Sequence, residues 1–577
     1  PMRLSSSEGY RRFWAMYHRP PEVEHREYLL ARRDSLLPLD ERNFKGAYYT
    51  PLKVVDKAYD LLAQTLGKNW QQKYIVWDMC CGVGNLEVKH SNHNNLFMST
   101  LDQADIDVMK AAKTCVQATK FQYDYLNDDI DDFGNIDYQI SHKLPLSLRQ
   151  AITDADKGVK SAKQILILIN PPYAEASNSE NTITGGEIKT KKGVSKTQIG
   201  KLMDETGYGY ASRELFVQFM ARIQKEIPTA KLAMFSTLKY VNAPNFEQFR
   251  QKWQAHYLGG FVVHSKAFDG LNGNFPIGFL VWDTSKKKTI TEITTTALDK
   301  NVKYAGEKVF YNLPTKLLLN EWLPRLPTNT INIPLKNAIS PQIAYAKVTA
   351  WNSSSIGYFW SAGNDLQQTA THTAILSSVF SNGCGFYITK DNLAQAAVIF
   401  AVRRLIKPTW LNDRDQFLQA TEPLTEVFKN DCLVWLLFNG SNLTASANNL
   451  KWNEKKWSIV NHFIPFTAAE VGANDKFESN FMVDYLNAIK KTQLSKEAKA
   501  VLAQGKMLWQ QYHAIEFEHK IKDEFKLNRA DVGWYQIRKA LEAHAKNEVV
   551  DFDPFKTAYA ELSEKLRPMV YELGFLK

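Results

Sequence analysis

The sequence predicts an α/β fold: a doubly wound, Rossmann-like sheet, followed by a mixed α+β region that ends in helices. Two observations predict the sheet. Short apolar runs alternate with segments of helical periodicity from Tyr74 to about Asp283, the pattern of an open sheet covered by helices on both faces. A Gly-x-Gly turn follows the first run directly, at the carboxyl end of a predicted strand, where open α/β sheets bind ligands.

The apolar runs have the length of buried strands, and helical segments separate them. The predicted strands are Ile75–Trp77, Leu96–Leu101, Ile165–Ile169, Leu232–Ser236, Gly260–Val263 and Gly278–Trp282. Predicted helices between them include Val108–Ala118 and Ala211–Glu226. Thr50-Pro51 predicts a further helix start before the first strand, with Thr50 as N-cap and Pro51 at the first helical position. Two stretches interrupt the alternation. Residues 127–163 predict an excursion before the next strand, and residues 175–210, rich in Gly, Ser, Thr, Asn and Lys, predict a long mobile loop.

Changes in composition divide the 577 residues into four predicted regions. Residues 1–45 are charged and predict a helical segment, and residues 46–305 hold the alternating α/β pattern. Residues 306–490 are mixed and rich in aromatic side chains, and residues 491–577 predict a helical C-terminal region.

Charge, cysteine content and hydropathy restrict the class of protein. Lys and Arg number 71 against 61 Asp and Glu, and this net charge of +10 favours a polyanionic partner. The five cysteines form no CxxC pair, which argues against a disulfide framework and against a zinc site. No apolar run approaches the roughly 20 residues of a membrane helix, so we expect a cytoplasmic protein without a membrane partner.

The first chemical motif is the turn from Asp78 to Gly84, which contains the Gly-x-Gly pair Gly82 and Gly84. Glycine adopts positive φ angles and lets a ligand approach the backbone closely. By itself a Gly-x-Gly turn is equally compatible with a purely structural role. The turn becomes stronger evidence for a binding site because further polar residues follow the next predicted strands.

Acidic residues follow the second and third predicted strands. Asp102 comes after Leu96–Leu101, close to the offset at which an acidic residue holds the ribose hydroxyls of a bound nucleotide. Asp105 and Asp107 compete for that role. Asp124, within Phe121–Leu126, ends a further predicted strand that lies between Leu96–Leu101 and Ile165–Ile169. Its carboxylate could accept a hydrogen bond from a cofactor amino group, although a loop carboxylate is the simpler interpretation.

The most specific motif is Asn170-Pro171-Pro172-Tyr173, directly after the apolar strand Ile165–Ile169. Two prolines fix φ and donate no backbone hydrogen bond, so they predict a rigid turn. The turn presents the Pro171 carbonyl beside the Asn170 side-chain oxygen, and two such acceptors suit one NH₂ group. Tyr173 would stack on the ring that carries this amine.

Together these motifs resemble the ordered motifs of DNA methyltransferases that modify amino groups. Gly46–Pro51 resembles their other binding motif for S-adenosylmethionine (SAM). Its place before the glycine turn, with a large C-terminal remainder, resembles the gamma class of N6-adenine methyltransferases and the modification regions of restriction–modification enzymes. The likeness covers about residues 44–283. The pair Cys80-Cys81 departs from the commoner pattern of a small residue followed by Cys.

The resemblance implies SAM as the cofactor, no metal, and a role for each matched residue. Tyr48, Tyr49 and Thr50 would contact the methionine end of SAM. The glycine turn would line the amino-acid and ribose portion through Asp78, Cys81, Gly82 and Gly84. Asp102 would hold the ribose and Asp124 the adenine amine. The resemblance places an aromatic side chain on the other face of a flipped-out target base; we expect Phe275, with Phe268 as the runner-up.

The expected substrate is double-stranded DNA, with a restriction or specificity subunit as a further expected partner in a bacterial cytoplasm. Base and phosphate contacts are expected after residue 306, including the loop Asn352–Gln368. The candidate basic residues are Lys347, Arg403, Arg404, Lys407, Lys455 and Lys456. We see no nuclease motif and expect methylation without cleavage.

Three alternatives stay open at the level of sequence. An N4-cytosine DNA methyltransferase would use the same chemistry, although its motif usually begins with Ser. A protein-glutamine methyltransferase of the release-factor type would use the same turn, but would need neither Gly46–Pro51 nor the long C-terminal region. A non-catalytic DNA-binding regulator is disfavoured because both the glycine turn and the Asn170–Tyr173 motif are intact.

Overall fold

A computed structural model describes residues 50–159, 161–173, 182–184, 187–189, 196–268, 271, 273–314, 316–325, 354–369, 372–377, 385–452, 454–545 and 550–577. The predicted segment 1–45 and the predicted cofactor contacts Tyr48 and Tyr49 lie outside these residues. The chain forms two compact units. The first holds the described residues up to Pro314 together with Thr409–Leu411, and the second holds the remaining described residues from 316 onward.

The first unit is a mixed α/β structure with a large, mostly parallel sheet, as the sequence predicts. The strands are β1 Tyr74–Asp78, β2 Leu96–Thr100, β3 Thr119–Gln122, β4 Gln164–Ile169, β5 Thr182–Thr184, β6 Glu187–Lys189, β7 Lys231–Thr237, β8 His256–His264, β9 Pro276–Asp283, β10 Glu292–Leu298 and β11 Tyr304–Tyr311. Nine of them form one sheet in the order β11-β10-β8-β9-β7-β4-β1-β2-β3, and β5 pairs with β6 in a separate hairpin. Each of the six predicted strands overlaps an observed one.

Strand directions place the carboxyl ends of most strands along one edge of the sheet. β1, β2, β3, β4 and β7 are mutually parallel where they pair. β9 runs antiparallel between β7 and β8, so β8 runs in the same direction as β7, and β10 is parallel to β8. From β1 the chain first adds β2 and β3 on one side, then returns to place β4 on the other side of β1.

Apolar side chains cover both faces of this sheet, as strand β4 illustrates. Ile165, Ile167 and Ile169 belong to one buried cluster, whereas the alternating residues Leu166 and Leu168 belong to another. Successive side chains of a strand point to opposite faces, so a continuous apolar run is expected for a strand buried on both. The continuous apolar run Ile165–Ile169 is therefore explained by the burial of both faces of β4, each in a different core.

Helices of the first unit supply the outer layers. They are α1 Leu52–Leu66, α2 Trp70–Lys73, α3 Gln103–Ala111, α4 Leu146–Asp156, α5 Gln198–Glu205, α6 Leu215–Glu226, α7 Lys239–Asn242 and α8 Glu247–Lys252. Buried residues of α1 and α3 join the core that contains Leu166, and those of α4 and α6 join the core that contains Ile167.

The second unit packs helices around one extended hydrophobic core. Its strands are β12 Gly357–Ser361, β13 Thr373–Leu376, β14 Gly385–Ile388, β15 Ala447–Trp452 and β16 Lys455–Ile459. Its helices are α9 Leu366–Thr369, α10 Leu393–Leu405, α11 Glu426–Leu437, α12 Ala468–Val471, α13 Phe481–Asn487, α14 Lys496–Ala514, α15 His519–Glu524, α16 Trp534–His544 and α17 Asp553–Glu572. The core reaches from Leu319 to Leu576, across the predicted boundary at residue 490. No helix in the described ranges combines the length and apolar character that a membrane crossing requires.

Two local expectations were wrong. Residues 198–205, predicted as loop, form α5, because the Thr197 hydroxyl accepts a hydrogen bond from Gly200 N and because Ile199 and Met203 are buried one turn apart. The predicted helix start at Thr50 is also displaced: Pro51 is the N-cap of α1, and the Thr50 side chain makes no capping bond.

Candidate active site

The two most informative motifs meet at one point of the sheet. β1 and β4 are neighbours, and Trp77 pairs with Ile167. The chain leaves β1 toward β2 and leaves β4 toward the other side, so the sheet order reverses between these two strands. In open α/β sheets this reversal opens a crevice at the carboxyl ends, where ligands bind. The turn after Asp78 and the turn after Ile169 both lie there.

Short backbone bonds hold the glycine turn against the sheet. The Asp78 carboxylate accepts a hydrogen bond from Cys80 N at 2.8 Å, and Cys81 N donates to the Ser99 carbonyl of β2 at 2.9 Å. Gly82 and Gly84 have φ angles of +52° and +83°. These left-handed angles favour glycine and turn the backbone over the end of β1.

Gly84 is required for space as well as for conformation. A Cβ added there would lie 2.7 Å from Met98 Cε and 3.1 Å from Thr114 Cγ2. We expect Gly84→Ala to cost about 1–2 kcal/mol from the left-handed backbone and about 1–3 kcal/mol from overpacking. Gly158→Ala is the matched control, because Gly158 lies in the same unit and has φ +64° and open space around its added Cβ. Urea unfolding of both variants would separate the two effects, and equal losses would contradict the close approach at Gly84.

The second motif is held by side chains from two directions. Asn170 Nδ2 donates to Thr50 Oγ1 at 3.0 Å, and the Tyr173 hydroxyl donates to Asn170 Oδ1 at 2.7 Å. The backbone N–H of Asn170 lies against the Cys80 sulfur, so the two turns touch. This contact lowers the pKa of the Cys80 thiol, but burial is the larger effect and raises it well above its usual value.

Asp78 is an unusual carboxylate because it is almost completely buried, with 1% of its surface exposed. Desolvation raises its pKa to about 6, while hydrogen bonds from Glu87 and Cys80 oppose this rise. Near neutral pH Asp78 therefore carries most of a negative charge beside the glycine turn, which suits a cationic ligand.

The acidic residues after β2 differ in what they contact. The Asp105 carboxylate accepts a bond from Thr100 Oγ1 at 2.9 Å, and the Asp107 carboxylate accepts one from Gln103 Nε2 at 3.0 Å. Asp102 occupies the N-cap position of α3 without a side-chain capping bond. Asp102 thus follows β2 directly at the carboxyl edge, and its role with the ribose stays a prediction.

Asp124 supports its own turn. Its Oδ1 accepts from Leu126 N at 3.1 Å, and its Oδ2 accepts from Asn127 Nδ2 at 2.8 Å. Each carboxylate oxygen has a second lone pair, so these bonds leave acceptor capacity for a ligand. The contact of Asp124 with a cofactor amine stays a prediction.

The two aromatic candidates for base stacking differ in how deeply they are buried. Phe268 is 1% exposed and packs edge-on against Phe235, with ring centroids 6.0 Å apart, so it is a core residue. Phe275 is half-buried beside the same core, as is Tyr173. The backbone carbonyl of Phe275 accepts a hydrogen bond from Ser265 N at 2.9 Å. This bond holds Phe275, the residue before β9, beside the carboxyl end of β8.

Sequence patterns missed two features of this site. The first is the bond between Thr50 and Asn170: the sequence predicts Thr50 as a helix cap and as a cofactor contact, but not as the acceptor of a hydrogen bond from Asn170. The second is Glu87, which lies fully buried next to Asp78 although it carries no recognisable motif signal. Its only sequence signal is its place immediately after the apolar Leu86.

One predicted DNA contact in the second unit was wrong. Arg403 is fully buried, and its guanidinium donates to Thr373 Oγ1, Asn320 Oδ1 and nearby carbonyls. Burial lowers its pKa to about 9. Lys407 and Lys456 are exposed, and Arg404 is half-buried. Lys347 and the first residues of the predicted loop Asn352–Gln368 lie outside the described ranges.

Comparisons with protein-family models and with curated protein sequences gave no match. Solved structures gave distant likenesses. The type IIL restriction–modification enzyme MmeI, solved with DNA, has 11% identity and a TM-score of 0.36, over 93% of this chain and 78% of MmeI. A protein assigned as a modification subunit of a type I restriction enzyme from Vibrio vulnificus has 14% identity and a TM-score of 0.28, over 52% and 56% of the two chains.

A protein assigned as a class I SAM-dependent methyltransferase from Listeria monocytogenes has 11% identity and a TM-score of 0.27, over 51% of this chain and 73% of its own. The chain spans only about half of the length of the Vibrio protein, at 56%. Because all three TM-scores are below 0.5, no function is inferred from these likenesses.

Proposed function

We propose that the first unit binds SAM at the switch point of its sheet and transfers the methyl group to N6 of an adenine in double-stranded DNA. The observation that carries this proposal is the contact between the glycine turn and the Asn170–Tyr173 turn at the carboxyl edge. A cofactor bound over the first turn would have its reactive end beside the acceptors of the second.

The residues of the glycine turn fit a SAM molecule. Gly82 and Gly84 give the backbone its left-handed turn at the carboxyl end of β1, and Cys81 completes the turn. Asp78 supplies negative charge for a ligand that carries an ammonium and a sulfonium group. We further propose that Thr50, with Tyr48 and Tyr49, contacts the methionine end, that Asp102 holds the ribose, and that Asp124 holds the adenine amine.

The second turn would hold the target amine. Asn170 Oδ1 and the Pro171 carbonyl would each accept one N–H, which draws the nitrogen toward tetrahedral geometry and directs its lone pair at the methyl carbon. When bound, SAM supplies a methyl group already activated by its sulfonium. Alignment by the protein can contribute several kcal/mol, and the proton leaves the methylated nitrogen afterwards. Neither a metal nor a strong base is required for this step.

The roles proposed for the aromatic residues follow from how the target adenine must enter the crevice. An adenine inside a duplex cannot reach the crevice, so it must flip out of the stack. Tyr173 and Phe275 would then lie on opposite faces of the base. In the unliganded structure the Tyr173 hydroxyl bonds Asn170 Oδ1, so this bond must yield when the amine enters.

We propose that the second unit contributes DNA recognition and that a restriction or specificity subunit is a further partner. The net charge of +10 of the whole chain favours a polyanionic partner, and a DNA methyltransferase needs residues outside the transfer site for site selection. The predicted divisions at residues 45, 305 and 490 belong to the same proposal.

Transfer of labelled methyl groups tests the substrate class. The protein is incubated with methyl-labelled SAM and with either unmethylated DNA or a release-factor protein. We expect label in the DNA and none in the protein. Label in the release factor alone would replace the proposal by a protein-glutamine methyltransferase.

A further inference from the structure

Two carboxyl groups are buried together at the base of the glycine turn. Asp78 is 1% exposed, and Glu87 is completely buried. The two groups lie within hydrogen-bonding reach of each other. Neither oxygen of Glu87 accepts a bond from an N–H or O–H group of another described residue. Two carboxyl groups can hydrogen bond only if one of them carries a proton.

The groups around this pair are neutral or acidic. They are Tyr59 from α1, Cys80 and Cys81 of the turn, His90 after it, Asp105 beside Cys81, and Cys115 after α3. Burial lowers the pKa of His90 to about 4, so this imidazole is neutral near pH 7. Burial also raises the pKa of the Tyr59 hydroxyl well above its usual value.

Basic residues of the neighbouring segments are engaged elsewhere. Lys89 forms an ion pair with Asp56 in which both side chains are about half exposed. Lys120 donates to the backbone carbonyls of Cys115 and Ala118. The described residues therefore offer the pair no cation in hydrogen-bonding contact.

Two adjacent buried carboxyl groups without a cation cannot both ionise. Desolvation raises the pKa of both, and the negative charge of Asp78 raises that of Glu87 further. A hydrogen bond from protonated Glu87 stabilises the ionised form of Asp78, which lowers the pKa of Asp78 relative to burial alone. The Asp78 carboxylate also accepts the Cys80 N–H at 2.8 Å, a bond that favours its ionised form, whereas the Glu87 oxygens accept none from another described residue. Glu87 thus keeps the proton and Asp78 is the group that ionises.

We propose that Glu87 is a positioning residue that stays protonated and donates its hydrogen to Asp78, so that at acidic pH the binding of a cationic cofactor beside Asp78 releases up to one proton to solvent. This inference rests on the proposed SAM site. Asp78 is half protonated at about pH 6 in the free protein. A bound cation favours its ionised form, so affinity should rise as pH increases through that value and level off above it.

Isothermal titration of SAM into the full chain tests this coupling. Titrations between about pH 5 and about pH 7, in buffers of different ionisation enthalpy, count the protons released; the α-amino group of SAM titrates above that window, near pH 8. We expect the Kd to fall about tenfold from pH 5 to pH 7, with release of up to one proton at the acidic end.

Variants at Glu87 separate a proton donor from a mere space filler. Glu87→Gln keeps a donor and should reproduce the wild-type affinity and pH midpoint. Glu87→Leu lacks a donor, so the midpoint should move to higher pH and the affinity at pH 7 should fall about tenfold for each unit of that shift. Asp78→Asn should release no proton.

The outcomes distinguish this inference from the proposed function. SAM binding without proton release, or loss of binding in Glu87→Gln, would overturn the role of Glu87 and leave the SAM site intact. Equal midpoints for Glu87→Leu and wild type would also overturn it. Failure of wild type to bind SAM at any pH would overturn the proposed function itself.

Discussion

Replacing Asn170 with alanine should lower the rate of methyl transfer by about 10²–10³-fold while SAM binding stays nearly unchanged. The side chain would contribute one of two acceptors for the target amine, and such interactions matter chiefly when charge develops during the reaction. Single-turnover transfer of labelled methyl to DNA measures the loss, and titration of SAM measures the binding.

Asn170→Asp is the matched control for this experiment. A carboxylate keeps an acceptor at the same position, and the Thr50 hydroxyl, which now accepts from Asn170 Nδ2, can rotate to donate instead. We expect this variant to keep a substantial part of the activity. An alanine variant that transfers methyl at the wild-type rate would show that this side chain does not hold the target amine.

Replacing Arg222 with alanine should destabilise the protein by about 3–5 kcal/mol. Arg222 is completely buried and joins α6 to the segment after β3. Its guanidinium bonds the Tyr123 hydroxyl at 2.8 Å, the Asp128 carbonyl at 2.9 Å and Glu226 Oε2 at 3.1 Å. Removal of the side chain leaves the buried Glu226 carboxylate without its cation.

Urea unfolding of the full chain measures this loss. The double variant Arg222→Met, Glu226→Leu removes both charges and should be less destabilised than Arg222→Ala, since the cost comes mainly from the unpaired charge. If the free energy of unfolding of Arg222→Ala lies within about 0.5 kcal/mol of the wild-type value, the substitution behaves like one at an ordinary surface position. That result would contradict the structural role of Arg222.

The sheet could be predicted because its signal is local. An apolar run such as Ile165–Ile169 reports burial on both faces, and a polar residue after it reports the strand end. Once Asp78 and Asn170 were assigned to the ends of two parallel strands, their arrival at the same edge followed from geometry. Their direct contact through Cys80 depended on strand order, which periodicity does not encode.

The features that sequence missed are set by distant contacts. Thr50 was predicted as a site residue, but its bond to Asn170 spans 120 positions and leaves no local signal. Arg403 looked like a DNA contact because of its charge, yet it anchors the backbone around Ala362 and Gly363 in the interior of the second unit. Glu87 belongs to no motif that the sequence analysis recognises, and only tertiary packing buries it beside Asp78.

Nucleoside mass spectrometry tests the central claim most directly. Unmethylated DNA is incubated with SAM and either the wild-type protein or the Asn170→Ala variant, and is then digested to nucleosides. The proposed site predicts N6-methyladenine from the wild type and almost none from the variant. N4-methylcytosine, or equal N6-methyladenine from both proteins, would contradict the assignment of Asn170 as the acceptor for an adenine amine.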